Sequence, residues 1–217
     1  GRYNVLKSFQ INKLELFEKI TKGVASFRQT LFVKGCYDKL QLDGVDFGGS
    51  NFREAIIDYS SFVKANLDMV HFNRVYGQGA NFVRATLDSA RMWMATLNHC
   101  NFSEALMRCL WAIEANFTNS IFKGADLSGS NLAGANFTGA DLTDAKMFNV
   151  DLTSTIFKGA RLCRTALCGA NLFSADFRGV AQWEDVMTDA KTCSDKAQWD
   201  DSMKSRGEKF FALLAQA

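Results

Sequence analysis

The sequence predicts an all-β solenoid with helical segments at both ends, and three observations predict it. A large apolar residue recurs at every fifth position, the position two places earlier is usually small, and the chain contains no proline. In the stretch NLAGANFTGADLTDAKM, residues 131 to 147, the large positions are Leu132, Phe137, Leu142 and Met147. A step of five residues turns an α-helix through about 500°, so these side chains would scatter around its axis. In a flat strand, residues five apart point to opposite faces. What remains is a chain that bends equally after each unit, so that every fifth side chain faces one interior.

The register holds along the body without a slip. Large residues run from Phe27, Phe32 and Tyr37 through Phe62, Phe82 and Phe102 to Leu167, Leu172 and Phe177, and residues 25 to 179 make 31 units. The small position is most often alanine, as at Ala55, Ala65, Ala105 and Ala140. Two units depart from the pattern. Gly77 stands at a large site behind an oversized Val75, and Ala112 stands at another behind an oversized Leu110. Each reads as a size exchange that keeps interior volume roughly constant, which cores tolerate. The absence of proline suits a body whose backbone N–H groups are needed by neighbouring coils.

Units such as Ala135-Asn136-Phe137-Thr138-Gly139 and Ala140-Asp141-Leu142-Thr143-Asp144 resemble the pentapeptide-repeat family, whose pattern is alanine, aspartate or asparagine, leucine or phenylalanine, then two variable residues. The resemblance covers 155 of the 217 residues. It implies a right-handed quadrilateral β-helix with four units per coil. Nearly eight coils at about 4.8 Å would give a rod roughly 37 Å long.

Three regions are expected: an N-terminal helical cap over 1–24, the repeat body over 25–180, and a C-terminal helical cap over 181–217. Open ends of a solenoid invite edge pairing, so lids are expected there. At the front, Leu14, Phe17 and Ile20 stand near helical spacing. At the back, Trp183 and Met187 are four apart, as are Trp199 and Met203, and EKFFALLAQA reads as a short apolar helix after Gly207. That last run is too short to span a bilayer. An end-to-end homodimer through a cap is left open. A chain starting at Gly1 reads as trimmed or processed, which leaves its compartment open.

The six cysteines show no CxxC spacing, and no histidine pattern suits zinc. Cys100 falls at a small inward site. Cys163 and Cys168 are expected to face outward, and a Cys168–Cys193 link is conceivable in an oxidising compartment, although free thiols are the expectation. No cofactor is expected. Glycines 124, 129, 134 and 139 follow the five-residue period and so read as corners, not as a phosphate loop.

Residues next to the inward position should face solvent, and most are polar. Around the second exchange they are Trp93, Met94, Trp111 and Ile113. If positions 20 apart stack on one wall, Trp93 lies beside Ile113 and Arg91 beside Trp111. His71 and Asn73 then lie one coil earlier, and Asn131 and Ala133 one coil later. Arg91, Trp93, Met94, Trp111, Ile113 and His71 are therefore the candidate partner-binding residues. Tryptophan with arginine is typical of binding hot spots, and contiguous exposed apolar patches often mark contact surfaces. The plainer alternative is that these aromatics pack on one another, or under a terminal helix, and bind nothing. Tyr59 and His99, with Gly79 between them, are weaker hints on a neighbouring wall.

The expected function is a non-catalytic protein-interaction module or scaffold. The family resemblance supplies an alternative, since some pentapeptide-repeat proteins mimic duplex DNA, bind DNA gyrase and confer quinolone resistance. That needs a dense negative surface. Residues 25 to 180 carry 14 acidic and 15 basic side chains, and the whole chain has a net charge of +2. Asp38, Asp43, Asp46, Asp58, Asp68 and Asp88 do group together, yet Arg53, Lys64, Arg74 and Arg84 interleave with them. Lys146, Lys158, Arg161, Arg164 and Arg178 make one end basic, but near-neutral overall charge disfavours nucleic acid. An enzyme has least support: His71 and His99 are the two available histidines, and His99 has no nucleophile held near it. No small-molecule substrate is expected.

Overall fold

The computed structural model describes residues 10–203. From Ser26 to Asp176, parallel bridges join each bridging residue to the one 20 further along, as in Asn51↔His71, His71↔Arg91, Arg91↔Trp111 and Trp111↔Asn131. The backbone therefore passes over itself every four units. Within a unit, the five N–H groups have separate destinations. In the unit around Phe137, Asn136 N–H goes back to Ala115 O at 2.9 Å, whereas Phe137 and Gly139 donate forward to Ile156 and Lys158, each at 2.8 Å. Ala140 N–H closes the corner on Phe137 O at 2.9 Å. Thr138 N–H, which no neighbouring coil reaches, donates to Asn136 Oδ1 at 2.9 Å. That bond gives a physical reason for asparagine or aspartate just before the large residue: an unpaired backbone donor at each corner would be costly.

The last residue of each unit is left-handed, with φ of 56° at Lys34, 56° at Glu114 and 69° at Gly134. No β-branched residue occupies these body corners, consistent with their steric aversion to positive φ.

The large residues fill the interior. Phe62, Phe82, Phe102 and Phe122 stack face to face at 5.2, 4.8 and 5.0 Å between successive centroids. A second stack runs through Phe117, Phe137, Phe157 and Phe177. At Gly77 a Cβ would lie 2.7 Å from Leu97 Cδ2 and 3.1 Å from Ile57 Cγ1. Side chains from the coils on either side thus fill that volume, while Val75 is itself fully buried. Ala112 and Leu110 are buried as well.

The ends differ in detail from expectation. Helix α1, Lys13–Thr21, starts at Asn12, whose side chain accepts from Glu15 N–H, a standard N-cap. Its buried residue is Leu16, with Ile20 and Ile11 partly buried against the core. The expected face was wrong at two of three positions, because Leu14 and Phe17 are exposed. The orientation is set by contacts with the first coil: Lys13 Nζ on Asp38 Oδ1 at 2.7 Å, Gln10 Nε2 on Val33 O at 2.8 Å, and the Tyr37 hydroxyl donating to Ile11 O. Burial pushes the Tyr37 phenol up to about 12.

At the other end, Trp183 and Met187 do not lie on the expected helix. Strand β1, Arg161–Cys163, pairs in parallel with β2, Gln182–Glu184, which places Leu162 opposite Trp183. Bridges Ala166↔Met187, Asn171↔Cys193 and Asp176↔Gln198 continue the ladder. Trp199 stacks on Phe177 at 4.4 Å, and Trp183 meets both edge-on. The proposed helix over EKFFALLAQA lies outside the described residues. Cys163, expected to face outward, is buried, because Gln182 of the next coil lies over it and accepts its thiol at Oε1, 3.3 Å away. Cys168 and Cys193 are free thiols. Cys100 is buried as expected, and burial pushes its thiol far up. Among the described residues no helix is long and apolar enough to cross a membrane.

Candidate functional site

The twenty-residue repeat stacks unit on unit, so one wall carries three columns of outward side chains. The column of bridging residues reads His71, Arg91, Trp111 and Asn131. The two turn columns beside it read Asn73, Trp93, Ile113 and Ala133, then Arg74, Met94, Glu114 and Gly134. The six residues expected to share this wall do share it. Trp93 is 43% exposed and Trp111 61%, so both indoles lie outside the coil; Met94 is 40% exposed. Among the described residues neither indole is packed against another aromatic ring, whereas Trp183 and Trp199 are.

Asn73, Arg91, Trp93, Trp111 and Ile113 line an open depression on this wall. Asn73 Oδ1 accepts the Trp93 N–H at 3.1 Å and so ties the turn that presents the first indole. The Arg74 guanidinium sits 4.9 Å from the Trp93 ring centroid, a cation–π arrangement. In the same coil as Arg74, His71 is held below its ordinary value first by burial and then by the Arg91 charge. It is therefore neutral at pH 7 and adds no cation of its own.

Two contributors were not legible as site residues. Arg74 was read only as a charge among acids, although it stands 20 residues before Met94, which puts it on this wall. Ser130 is buried, and its hydroxyl accepts Leu110 N–H at 2.9 Å and donates to Met107 O at 3.1 Å. It fixes the backbone immediately before Trp111. The signal is a serine at the small site 20 residues after a residue other than alanine, and it recurs: Ser50 follows Thr30, Ser60 follows Leu40, and Ser120 follows Cys100, each accepting that residue's N–H at 3.0 Å.

Tyr59 and His99 are on a different wall, as expected. His99 lies 3.3 Å from Asn98 Nδ2 and 3.4 Å from Asn119 Nδ2, and both are exposed-surface contacts. Among the described residues no group of histidine, cysteine and carboxylate side chains could hold a metal ion.

No curated protein matches the chain. Among solved structures, a trypsin-treated variant of QnrB1, a plasmid-mediated fluoroquinolone resistance protein, is 18% identical with a TM-score of 0.52, covering 86% of each chain. HetL from the cyanobacterium Nostoc sp. strain PCC 7120, a pentapeptide repeat protein involved in heterocyst differentiation regulation, is 19% identical over 87% of this chain and 95% of its own, with a TM-score of 0.36. The model of the pentapeptide repeats matches residues 40–74, 77–103, 113–147 and 145–180, in 8 copies. With its five-residue units, asparagine-tied corners and twenty-residue ladder, the chain belongs to the pentapeptide repeat family, whose members fold as right-handed quadrilateral β-helices.

Proposed function

We propose that this protein is a non-catalytic interaction module, a rigid rod that binds a protein partner through the wall carrying Trp93 and Trp111. The observation that carries the reading is the exposure of two indoles, at 43% and 61%, on a wall whose bridging column carries His71, Arg91 and Asn131 beside Trp111. The repeat itself does not require them. At the bridging position, asparagine or aspartate accepts the N–H two residues on, as at Asn51, Asn66, Asn131 and Asp151. Arg91 and Trp111 have no acceptor to offer there. Local rules are most often broken where function asks for something else. In this reading α1 closes one end of the rod and the Trp183–Trp199 pair the other, so partners are met laterally.

The test compares wild type with Trp93→Ala/Trp111→Ala, using a photo-crosslinking residue in place of Ile113. The expected result is a discrete crosslinked partner that the double variant loses while its far-UV circular dichroism is unchanged. Undiminished crosslinking in the double variant would reject this face.

A further inference from the structure

Between residues 25 and 180 there are nine arginines. Six of them, Arg28, Arg53, Arg84, Arg108, Arg164 and Arg178, pair with a carboxylate of the same chain. Among the described residues, Arg74, Arg91 and Arg161 have no carboxylate within ion-pairing distance. Two of these three flank the exposed indoles. Arg91 lines the depression with Trp93 and Trp111, while Arg74 lies over the Trp93 ring. In the turn columns Glu54 stands one coil before Arg74 but is paired with Lys34 and Arg53, and Glu114 stands two coils beyond Arg74 without an ion pair among the described residues.

An arginine with no carboxylate partner among the described residues, set against a tryptophan, offers a planar fork of donors beside an apolar floor. That combination fits a carboxylate adjoining an aromatic or aliphatic side chain: the carboxylate meets the guanidinium edge, and the apolar group covers the indole. Resting on the lateral-face reading above, we infer that the occupant of this site is an acidic, aromatic-containing peptide segment of another protein, with Arg91 as its carboxylate anchor, Arg74 as a second cation, and Trp93 and Trp111 as the apolar floor. The charge complementarity is local, since the body's net charge is near zero, and it therefore specifies the peptide and not a polyanion. A nucleic acid would be drawn by a basic stripe, and this wall has no lysine between Lys34 and the end of the body.

The experiment selects a random dodecapeptide phage library on the full chain, with counter-selection on Trp93→Ala/Trp111→Ala. The enriched peptides are then measured by fluorescence anisotropy. The expected peptides carry aspartate or glutamate within two residues of tryptophan, phenylalanine, tyrosine or leucine. Arg91→Gln weakens them by about tenfold or more, their Asp→Asn or Glu→Gln forms lose a similar factor, and raising salt weakens them further. Enrichment of peptides without a carboxylate, equal binding of the amide forms, or no enrichment at all overturns the inference. Selected peptides that depend on both tryptophans but not on Arg91 leave the lateral face standing and remove the acidic chemistry. Peptides indifferent to the tryptophans remove both. A concentration-dependent dimer that Trp111→Ala dissociates, seen by sedimentation velocity, makes a second copy the occupant and likewise overturns the acidic-peptide assignment.

Discussion

At the scale of single residues, the corner of each unit is where local chemistry decides. Where the small site holds alanine, the corner N–H bonds the carbonyl three residues back, at 3.1 Å for both Ala105 and Ala115. Leu110 instead donates to Ser130 Oγ, and the same hydroxyl donates on to Met107 O. At this corner the larger Leu110 goes together with a serine hydroxyl one coil on that satisfies both backbone groups; size alone does not open a corner, since Val75 N–H still bonds Phe72 O at 3.0 Å. Ser130→Ala leaves a buried donor and acceptor without this bridge, and should destabilise the fold by about 1–3 kcal/mol. Urea unfolding measures it. In a Leu110→Ala background the corner is free to close on itself, so the cost of Ser130→Ala should shrink markedly. Equal costs in the two backgrounds would separate the serine from the oversized residue and defeat this account. The same arrangement bears on function, because Leu110 directly precedes Trp111.

At the scale of elements, α1 is held to the first coil by the Lys13–Asp38 pair, whose side chains are 42% and 28% exposed. The Lys13 ammonium, then the Cys36 thiol, hold the Asp38 carboxyl well below its usual range, at about 2. Its folded value is thus depressed relative to an unfolded value of about 3.9, so its contribution is complete above that value and is lost as pH falls toward 2. Partial exposure keeps that contribution modest. The expected outcome is that Asp38→Asn melts below wild type at pH 6 and that the gap closes between pH 5 and pH 2. A gap independent of pH would mean that the amide change acts through something other than charge. This docking also shows where sequence reading stops. The body was legible because one period of five specifies both what points inward and what stacks 20 residues away. Helix α1 was legible as a helix, yet Leu14, Leu16, Phe17 and Ile20 offered competing apolar faces, and the choice of Leu16 rests on Lys13, Gln10 and Tyr37 meeting residues remote in sequence. At the other end, Trp183 and Met187 fit a helical spacing equally well. The ladder there advances by 21 residues from Leu162 to Trp183 and by 22 from Asp176 to Gln198, so the slipped period concealed the continuing coil. The outward placement of Trp93 and Trp111 followed from the period alone. The roles of Arg74 and Ser130 did not, since each depends on which group a side chain meets one coil away.

At the scale of the whole molecule, a shared fold leaves function to the surface. The likeness to the QnrB1 variant, at 18% identity, concerns the fold. A rod that replaces duplex DNA must present a dense, uncompensated negative field, and here the acidic residues are occupied internally. Asp38, Asp46 and Asp88 are paired with Lys13, Arg28 and Arg108. Asp43 accepts the Ser61 hydroxyl and Val63 N–H, Asp58 accepts Gln78 N–H, and Asp68 accepts Asp88 N–H, so each of these last three ties one coil to the next. Their placement follows from the corner geometry, and the cations among them leave a chain of net charge +2. Weak screening at low salt is the condition most favourable to an electrostatic mimic, because the Debye length then rises to about 30 Å at 0.01 M. Even there, stoichiometric protein should leave DNA supercoiling by gyrase unaffected. The same preparation should still bind the peptides selected on the Trp93 and Trp111 wall. Strong inhibition of supercoiling that disappears as salt is raised would show that the field is negative where a polymerised duplex would lie, and would move the functional surface from the indole wall to the aspartate-bearing coils between Asp38 and Asp88.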